Sequence, residues 1–332
     1  MQNKILLSDN IFVAGSSGMV GNAITKKLKE KGYGLNKYNG KLLTPKRKEL
    51  NLLNSEYVNE WFSFNKPNIV ILAAAKVGGI LANSLNPADF LFENLKIQTN
   101  VIEASWKNNV KRLLFLGSSC IYPKYAPQPL KEEYLLRGEL EQTNNSYALA
   151  KIAGIKLCES LNIQYGFDAI SLMPTNLYGP KDNYDLESSH VFAALIRKFS
   201  DAIKYSQSSV NCWGSGNPLR EFMHVDDLAS AVIFALEKWN PNEKNAPKNT
   251  NGEKLYHLNV GTGKDISIKD LASKIAEFTS FKGDIFWDKS KPDGTPKKQL
   301  DISKIKSLGW EPEIELEEGL KKTIEDYLQN NY

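Results

Sequence analysis

The sequence is poor in cysteine and has no long apolar run, and each shortage excludes a class of protein. Its 332 residues contain three cysteines, an odd and sparsely spaced number that fits reduced thiols better than a disulfide scaffold. No apolar stretch approaches transmembrane length, and the N-terminus lacks the basic start and small-residue cleavage site of a signal peptide. We therefore predict a cytoplasmic protein that does not bind a membrane.

Excess charge of either sign is also lacking. The formal net charge is only +4, which argues against a dedicated nucleic-acid binder. Apolar residues make up 42% of the chain and charged residues 24%, as is ordinary for a soluble globular protein long enough for one large or two modest domains. We expect neither a nucleic-acid partner nor a metal site.

What the sequence does contain is a regular alternation of strand and helix patterns. Short apolar runs predict buried strands at residues 10–14, 41–44, 68–75, 112–117 and 168–173. Helical patterns separate most of them, so the alternation continues to about residue 180. This arrangement is typical of an α/β protein, and we predict a Rossmann-like doubly wound parallel sheet.

A glycine loop directly follows the first predicted strand. Gly15, Gly18 and Gly21 have the spacing G-x-x-G-x-x-G and precede a predicted helix. Glycine lets the backbone approach a pyrophosphate, whose charge then lies at the helix N-terminus. A tight turn without a ligand is the alternative. The position of the loop after an N-terminal strand favours nucleotide binding.

Basic residues follow the second predicted strand. A dinucleotide fold that prefers NAD usually carries an acidic residue there, which binds the ribose 2′-hydroxyl. This chain instead has Lys46, Arg47 and Lys48. Positive charge suits a 2′-phosphate, so we predict NADP(H) as the cofactor. A solvated basic turn is the alternative.

Acid–base chemistry is indicated by Tyr147 and Lys151. Residues four apart share one face of a helix, so the phenol and the ammonium can reach one site. A nearby cation would lower the tyrosine pKa from about 10 and allow proton exchange with a carbonyl or hydroxyl oxygen. Ser118 and Cys120 come at the end of another predicted strand, where ligands bind in open α/β sheets.

Longer motifs carry a resemblance to a known family. They are Ala73-Ala-Ala-Lys-Val-Gly-Gly79, Leu116-Gly-Ser-Ser-Cys-Ile-Tyr-Pro-Lys124, Met173-Pro-Thr-Asn-Leu-Tyr-Gly179, Trp213-Gly-Ser-Gly216 with Arg220-Glu-Phe222, and Ser290-Lys-Pro-Asp-Gly-Thr-Pro296. The glycine loop and the Tyr-x-x-x-Lys pair resemble the extended short-chain dehydrogenase/reductase superfamily. Over nearly its whole length, the chain resembles the GDP-L-fucose synthase family of GDP-4-keto-6-deoxy-D-mannose 3,5-epimerase/4-reductases.

The resemblance implies a role for individual residues. Ser118, Tyr147 and Lys151 match the reduction triad of the family, and Cys120 and His190 match its epimerisation acid–base pair. The implied cofactor contacts are Gly15, Ser16, Ser17, Gly18, Met19, Val20, Gly21, Arg47, Leu116, Gly117, Lys151, Pro174, Thr175, Asn176, Leu177 and His190. The implied contacts to a GDP-4-keto sugar are Lys198, Trp213, Arg220, Asp293 and Lys298.

The resemblance also implies domains and an assembly. An NADP(H)-binding Rossmann domain would span residues 1–180, with returning segments near 221–240 and 255–265. Residues 181–332 would mainly form a smaller C-terminal α/β lid that binds the GDP-sugar. A homodimer through helices that flank the sheet, including the Tyr147 helix, is what the family implies.

Three departures from the family pattern leave alternatives open. Ser16 and Ser17 replace a His-Arg pair, Lys198 stands where arginine is usual, and the loop at residues 33–40 is longer and has no assigned role. One alternative is a C-4 reductase that acts on a related GDP-4-keto sugar, such as a GDP-heptose, after a separate epimerase. Another is a nucleotide-sensing scaffold that binds NADP(H) without turnover. Cys120 could also be only a small buried hydrophobe.

Overall fold

The structure is a computed structural model that describes residues 4–331, so the outer limits of the predicted domains at residues 1 and 332 lie outside the described part. The strands are β1 (Ile11–Ala14), β2 (Leu42–Leu43), β3 (Ile69–Leu72), β4 (Arg112–Leu116), β5 (Ala169–Pro174), β6 (Asn176–Tyr178), β7 (Ser209–Trp213), β8 (Leu219–His224), β9 (His257–Val260), β10 (Asp265–Ser267), β11 (Asp284–Asp288) and β12 (Lys297–Lys298). The helices are α1 (Met19–Glu30), α2 (Ser55–Asn65), α3 (Ile80–Leu85), α4 (Pro87–Lys107), α5 (Asn145–Tyr165), α6 (Val191–Lys204), α7 (Val225–Lys238), α8 (Ile268–Thr279), α9 (Ser303–Ser307) and α10 (Leu316–Asn331).

A six-stranded sheet in the order β2-β1-β3-β4-β5-β9 forms the larger layer. Each adjacent pair of strands is parallel. Apart from the short edge strand β2, these strands are buried along their whole length, because helices cover both faces of the sheet. The predicted Rossmann-like fold is confirmed. The strand order reverses direction between β1 and β3, and ligands of open α/β sheets bind at such a reversal.

The rest of the chain forms a smaller layer with its own core. Strands β10, β8 and β12 pair side by side, β6 joins β8, and β11 pairs with β7. Aromatic side chains of α6, α10 and the flanking strands, among them Tyr178, Phe192 and Tyr327, fill the core beneath this layer. Ser267 caps α8 through a hydrogen bond from the Asp270 amide, and His224 caps α7 in the same way through Asp226.

The loop at residues 33–40, whose role the sequence did not indicate, packs into the fold. Tyr33 is buried and its hydroxyl donates a hydrogen bond of 2.9 Å to Glu237 on α7. Gly40 lies so close to the preceding chain that a Cβ there would come within 2.3 Å of the Leu7 carbonyl oxygen. The loop therefore attaches the start of the chain to α7. No helix within residues 4–331 is long and apolar enough to span a bilayer.

Candidate active site

A cavity of about 780 Å³ opens at the carboxyl ends of the sheet strands. Every residue that the resemblance implies as a cofactor contact lines it: Gly15, Ser16, Ser17, Gly18, Met19, Val20, Gly21, Arg47, Leu116, Gly117, Lys151, Pro174, Thr175, Asn176, Leu177 and His190. Ser118 and Tyr147 line the same cavity. Residues far apart in the sequence thus meet in one cleft, which we call the main cleft.

The glycine loop fits a diphosphate by its shape. Gly15 has a φ of +86°, and a Cβ there would lie 2.8 Å from the backbone of Ala74. A Cβ at Gly21 would lie 2.1 Å from the Gly15 carbonyl oxygen, so the loop closes tightly on the start of α1. Gly18 caps that helix without a side chain, and Met19 and Val20 in its first turn line the cleft. Free N–H groups and the positive end of the helix dipole therefore face the space a diphosphate would fill.

Of the three basic residues after β2, only Arg47 lines the main cleft. The chain then continues along the cleft through Asn51, Leu52 and Leu53, which sequence reasoning missed. Asn100 on α4 anchors this segment, because its side-chain amide donates a hydrogen bond of 2.8 Å to the Leu52 carbonyl. No motif in the sequence distinguishes these residues from an ordinary loop.

Lys151 is almost fully buried beside Tyr147. Its ammonium donates a hydrogen bond of 2.8 Å to the Leu116 carbonyl and lies 5.7 Å from the centre of the Tyr147 ring. Burial lowers the pKa of Lys151 to about 8, with the neighbouring Cys120 acting in the opposite direction.

The pKa of Tyr147 is raised by burial, to which the nearby Cys120 adds. This direction is opposite to the one expected from a neighbouring cation. The physical reason is that desolvation disfavours the charged phenolate, while the ammonium of Lys151 is hydrogen-bonded to the backbone of β4. Without a ligand in the cleft, Tyr147 therefore keeps its proton.

Cys120 is buried and, unlike Ser118, does not line the main cleft. Its amide donates a hydrogen bond of 3.3 Å to the Ser118 hydroxyl oxygen. Burial raises the pKa of the Cys120 thiol, against the charge of Lys298 and contacts with Ser118 and Lys151. The thiol borders a second cavity of about 20 Å³, which Lys298 and Glu141 also line. Cys120 thus lies close to Ser118, Tyr147 and Lys151, but it lines the small second cavity and not the main cleft.

His190 lines the main cleft at the start of α6. Part of its side-chain surface is open to the cleft, yet protein atoms surround the imidazole closely enough to desolvate its charged form. This desolvation, together with the positive charge of Lys298, lowers the pKa of His190 to about 4. Lys298 therefore acts electrostatically on both members of the predicted acid–base pair, favouring thiolate at Cys120 and neutral imidazole at His190.

The predicted substrate contacts form a cationic surface on the smaller layer, outside the main cleft. Trp213 is 47% exposed, and the ammonium groups of Lys198 and Lys291 lie 5.3 Å and 5.5 Å from its ring centre. Such distances are typical of cation–π contacts. Sequence reasoning missed Lys291, although it lies within the motif at residues 290–296. An aromatic face with two cations beside it can bind a base and its phosphates.

Arg220 connects strand β8 to the segment that contains Asp293 and Lys298. Its guanidinium donates hydrogen bonds to the carbonyl oxygens of Leu219 and Asp293, at 2.9 Å and 3.3 Å. Burial lowers the pKa of Arg220 to about 10, so the group stays charged at neutral pH. The Asp293 carboxylate accepts two hydrogen bonds of 2.7 Å from Ser215. Lys298 pairs directly with Arg220 where β12 runs parallel to β8.

Other charged groups line the main cleft without having been predicted. Lys76 forms ion pairs of 3.2 Å with Asp89 and 2.6 Å with Glu93. Asp182 lies on the same wall, and burial raises the pKa of its carboxyl to about 7, against a hydrogen bond from the Asn183 amide. Lys76 falls within the motif at residues 73–79, which was its only signal in the sequence. In the described chain, no three His, Cys, Asp or Glu side chains are grouped to hold a metal ion.

Comparison with known proteins gives one consistent result. The model of the family described as "NAD dependent epimerase/dehydratase family" matches residues 11–251 of this chain. GDP-L-fucose synthase 1 from Arabidopsis thaliana is 50% identical over 323 residues, covering 97% of this chain and 94% of that protein. GDP-L-fucose synthase from Escherichia coli (strain K12) is 50% identical over 324 residues, covering 96% of this chain and 97% of that protein.

A solved structure agrees with these sequence relatives. A GDP-mannoheptose C4 reductase from Campylobacter jejuni, with NADP bound, superposes with a TM-score of 0.85 at 39% identity. The superposition covers 98% of this chain and 99% of the reductase chain. The family match includes the glycine loop and the Tyr-x-x-x-Lys pair, and the relatives cover nearly all of the sequence. The chain therefore belongs to the NAD dependent epimerase/dehydratase family and, within it, to the GDP-L-fucose synthase family.

Proposed function

We propose that this chain makes GDP-L-fucose from GDP-4-keto-6-deoxy-D-mannose, by epimerisation at C-3 and C-5 followed by NADPH-dependent reduction at C-4. One observation carries the proposal. The glycine loop, Ser118, Tyr147, Lys151 and His190 all line the main cleft, and Cys120 lies beside Ser118 and lines the second cavity. A nucleotide-binding loop and two sets of acid–base groups therefore share one site.

The residues of the main cleft fit NADP(H), which when bound supplies the hydride for C-4. The N-terminus of α1 would hold the diphosphate, since its glycine loop leaves the backbone N–H groups open. Arg47 is the cation of the basic turn that reaches the cleft, and it would bind the 2′-phosphate. Lys151 would hold the nicotinamide ribose beside Tyr147.

Reduction needs a proton donor at the C-4 oxygen. Burial keeps the Tyr147 phenol protonated, which suits a group that gives its proton to a new alkoxide. The Ser118 hydroxyl would donate a hydrogen bond to the same oxygen, and the charge of Lys151 would stabilise the tyrosinate once the proton has left.

Epimerisation uses the same ketone, because a carbonyl at C-4 acidifies the hydrogens on C-3 and C-5. A base removes a proton to give an enolate, and an acid on the other face returns one with inverted stereochemistry. Without substrate, the lowered pKa of His190 favours a neutral imidazole that can accept a proton. The raised pKa of Cys120 favours a thiol that can donate one. The two groups thus supply complementary proton acceptor and donor.

The nucleotide half of the substrate would bind on the smaller layer. Trp213 offers an exposed ring for stacking on guanine, and Lys198, Arg220 and Lys298 offer positive charge for the diphosphate. Asp293 would hold the loop beside them through its hydrogen bonds to Ser215. Residues before 181, with the returning segments, would thus bind the cofactor, and residues from 181 onward would mainly bind the GDP-sugar.

We also propose that the protein is a cytoplasmic homodimer. Cys120, Cys158 and Cys212 are free thiols, which suits a reducing compartment. Phe92 on α4 and Leu149 on α5 are 64% and 48% exposed, on two helices that pack side by side against the sheet. A second copy would cover these side chains. Sedimentation equilibrium on the full chain tests this assembly, and a monomer at micromolar concentration would contradict it.

An incubation in deuterium oxide tests the proposed reaction. The purified protein is mixed with GDP-4-keto-6-deoxy-D-mannose and NADPH, and the product is analysed by mass spectrometry and proton NMR. We expect GDP-L-fucose with one deuterium at C-3 and one at C-5. Substrate kept in deuterium oxide without protein controls for spontaneous exchange.

The alternative function is C-4 reduction alone, on a related GDP-4-keto sugar such as a GDP-heptose. The structural similarity to a GDP-mannoheptose C4 reductase supports it, whereas the placement of Cys120 and His190 beside the triad supports the bifunctional enzyme. A reduced product that retains hydrogen at both carbons would favour the reductase. Absence of turnover with the hexose would direct the search to larger GDP-4-keto sugars.

A further inference from the structure

Glu221 is a fully buried carboxylate for which the proposed mechanism has no use. It lies on β8 directly after Arg220, and none of its surface is exposed. A buried charge is costly unless it is hydrogen-bonded, so the contacts of Glu221 indicate what holds it there.

The side chain of Glu221 joins two segments that follow it in the sequence. Its Oε1 accepts hydrogen bonds from the amides of Thr262 and Gly263, at 2.6 Å and 2.8 Å. Its Oε2 accepts a hydrogen bond of 2.7 Å from the amide of Leu300. The turn is shaped around the carboxylate, because a Cβ at Gly261 would lie 2.0 Å from Oε1. These hydrogen bonds favour the charged carboxylate against the desolvation that raises the pKa of Glu221.

The backbone of the same residue faces the cofactor side. The carbonyl oxygen of Glu221 accepts hydrogen bonds from the Thr175 hydroxyl at 3.1 Å and from the Asn176 side-chain amide at 2.8 Å. Both donors line the main cleft. Glu221 therefore contacts the junction of β5 and β6 through its backbone carbonyl. Its side-chain carboxylate contacts the turn at residues 262–263 and the amide of residue 300.

The Leu300 contact bears directly on the cationic surface. Leu300 follows Lys298 by two residues, and Lys298 pairs with Arg220 across the parallel strands β12 and β8. Two cations placed side by side repel each other. Burial lowers the pKa of both groups, and the charge of Arg220 lowers the pKa of Lys298 further. The negative charge of Glu221 acts in the opposite direction on Lys298. The carboxylate thus fixes the strand of Lys298 and offsets part of the repulsion.

We propose that Glu221 is a positioning residue for the diphosphate of the GDP-sugar, and that it acts by holding Lys298 alongside Arg220. This inference rests on the proposed function, since it assigns that pair of cations to a GDP moiety. Removal of the carboxylate charge will loosen the cationic pair while leaving the carbonyl contacts to Thr175 and Asn176 in place. The affinity for GDP will therefore fall much more than the affinity for NADPH.

The test uses Glu221→Gln in the full chain, with GDP and NADPH as separate calorimetric ligands. Glutamine keeps the shape of the side chain but turns an NH₂ group toward backbone N–H donors. We expect the Kd for GDP to rise at least about tenfold and the Kd for NADPH to change less than about threefold. In turnover assays, KM for the GDP-sugar will rise more than kcat falls. The matched control is Glu237→Gln, because Glu237 is a buried glutamate that accepts hydrogen bonds from Tyr33 and Lys31 and does not line the main cleft.

A double-mutant cycle separates positioning from general damage. If Glu221 acts through Lys298, Glu221→Gln will cost little further GDP affinity in a Lys298→Met background. Should Glu221→Gln not fold, Gln299→Ala takes its place, because the Gln299 side chain donates to the Gly263 carbonyl and joins the same two segments. The same selective, smaller loss of GDP affinity is then expected.

Three outcomes would overturn the inference. They are unchanged GDP binding in the variant, equal losses of GDP and NADPH binding, or full additivity with Lys298→Met. If the wild-type chain itself fails to bind GDP, the proposed function fails together with the inference. If the wild type binds GDP and Glu221→Gln binds it equally well, only the role of Glu221 is contradicted.

Discussion

The ammonium of Lys151 donates a 2.8 Å hydrogen bond to the carbonyl oxygen of Leu116, the last residue of β4. This contact ties helix α5, which carries Tyr147, to the strand end that leads into Ser118 and Cys120. The helix that carries Tyr147 is therefore held in a fixed position relative to the end of β4. It also explains why Lys151 tolerates burial, since one of its three donors is satisfied by the backbone.

Replacement of Tyr147 by phenylalanine should abolish reduction while cofactor binding remains. Only the hydroxyl is removed, and general acid catalysis contributes about 10²- to 10⁴-fold to a rate. The measurement is NADPH oxidation with substrate, beside NADPH binding by fluorescence. Tyr165→Phe, at the exposed end of the same helix, is the control. Wild-type turnover in Tyr147→Phe would rule out this residue as the proton donor.

Replacement of Cys120 by serine should block deuterium wash-in at C-3 and C-5, because a serine hydroxyl is a far weaker acid than a thiol and is a poor general acid or base near neutral pH. The measurement is proton NMR of the sugar after incubation in deuterium oxide. Cys158→Ser makes the same change at a different buried thiol, which lies on α5, and this variant should retain wash-in. Persistent wash-in at both carbons in Cys120→Ser would assign the acid–base role to another residue.

Replacement of Arg47 by alanine should raise KM for NADPH at least about tenfold and change KM for NADH little. The expected loss follows from removing a charge-assisted contact to the 2′-phosphate. Lys48→Ala is the matched control, because Lys48 belongs to the same basic turn but does not line the main cleft. Equal effects of Arg47→Ala on both cofactors would mean that the 2′-phosphate is bound elsewhere.

Replacement of Lys151 by methionine should stabilise the fold while it abolishes activity. Burial lowers the pKa of Lys151 from 10.5 to about 8, so between these values the unfolded chain binds a proton that the folded chain has released. The wild type is therefore penalised most below pH 8, and the penalty disappears as pH rises to 10.5. Since one pKa unit corresponds to about 1.4 kcal/mol, the stability advantage of the methionine variant over the wild type should shrink by roughly 3 kcal/mol between pH 7 and pH 10.5.

Denaturant unfolding of both proteins between pH 7 and about 10.5 measures this margin. Lys156→Met, at an exposed position on the same helix, controls for the loss of a lysine and should show no such pH dependence. A margin that stays constant over the range would show that the folded protein holds Lys151 in its charged form.

Five of the six strands of the larger layer were predictable because each carries its own signal, whereas β9 was not predicted as a strand. The apolar runs that end at Ala14, Leu72 and Leu116 are buried on both faces, so their sequences alone are distinctive. The glycine loop and the Tyr147–Lys151 spacing are equally local. Both motifs line the main cleft.

The smaller layer was less predictable because its strands depend on distant partners. β7 pairs with β11, which follows it by some 70 residues of chain, and each shows only a short, half-exposed pattern. The pKa of Tyr147 was also misjudged, since burial by surrounding elements has no signature in the sequence. Lys291 and Glu221 gain their meaning only when segments remote in sequence meet.

The return of the chain to the large sheet limits how this protein can be dissected. After β5 it builds much of the smaller layer, and only then adds β9 as the sixth strand beside β5. A fragment truncated near residue 180 would leave the hydrogen-bonding edge of β5 uncovered, and such an edge promotes aggregation. The smaller layer is thus built from two segments, one between β5 and β9 and one after β9. Exchange of this layer with that of a relative must accordingly replace both segments and leave β9 in the large sheet.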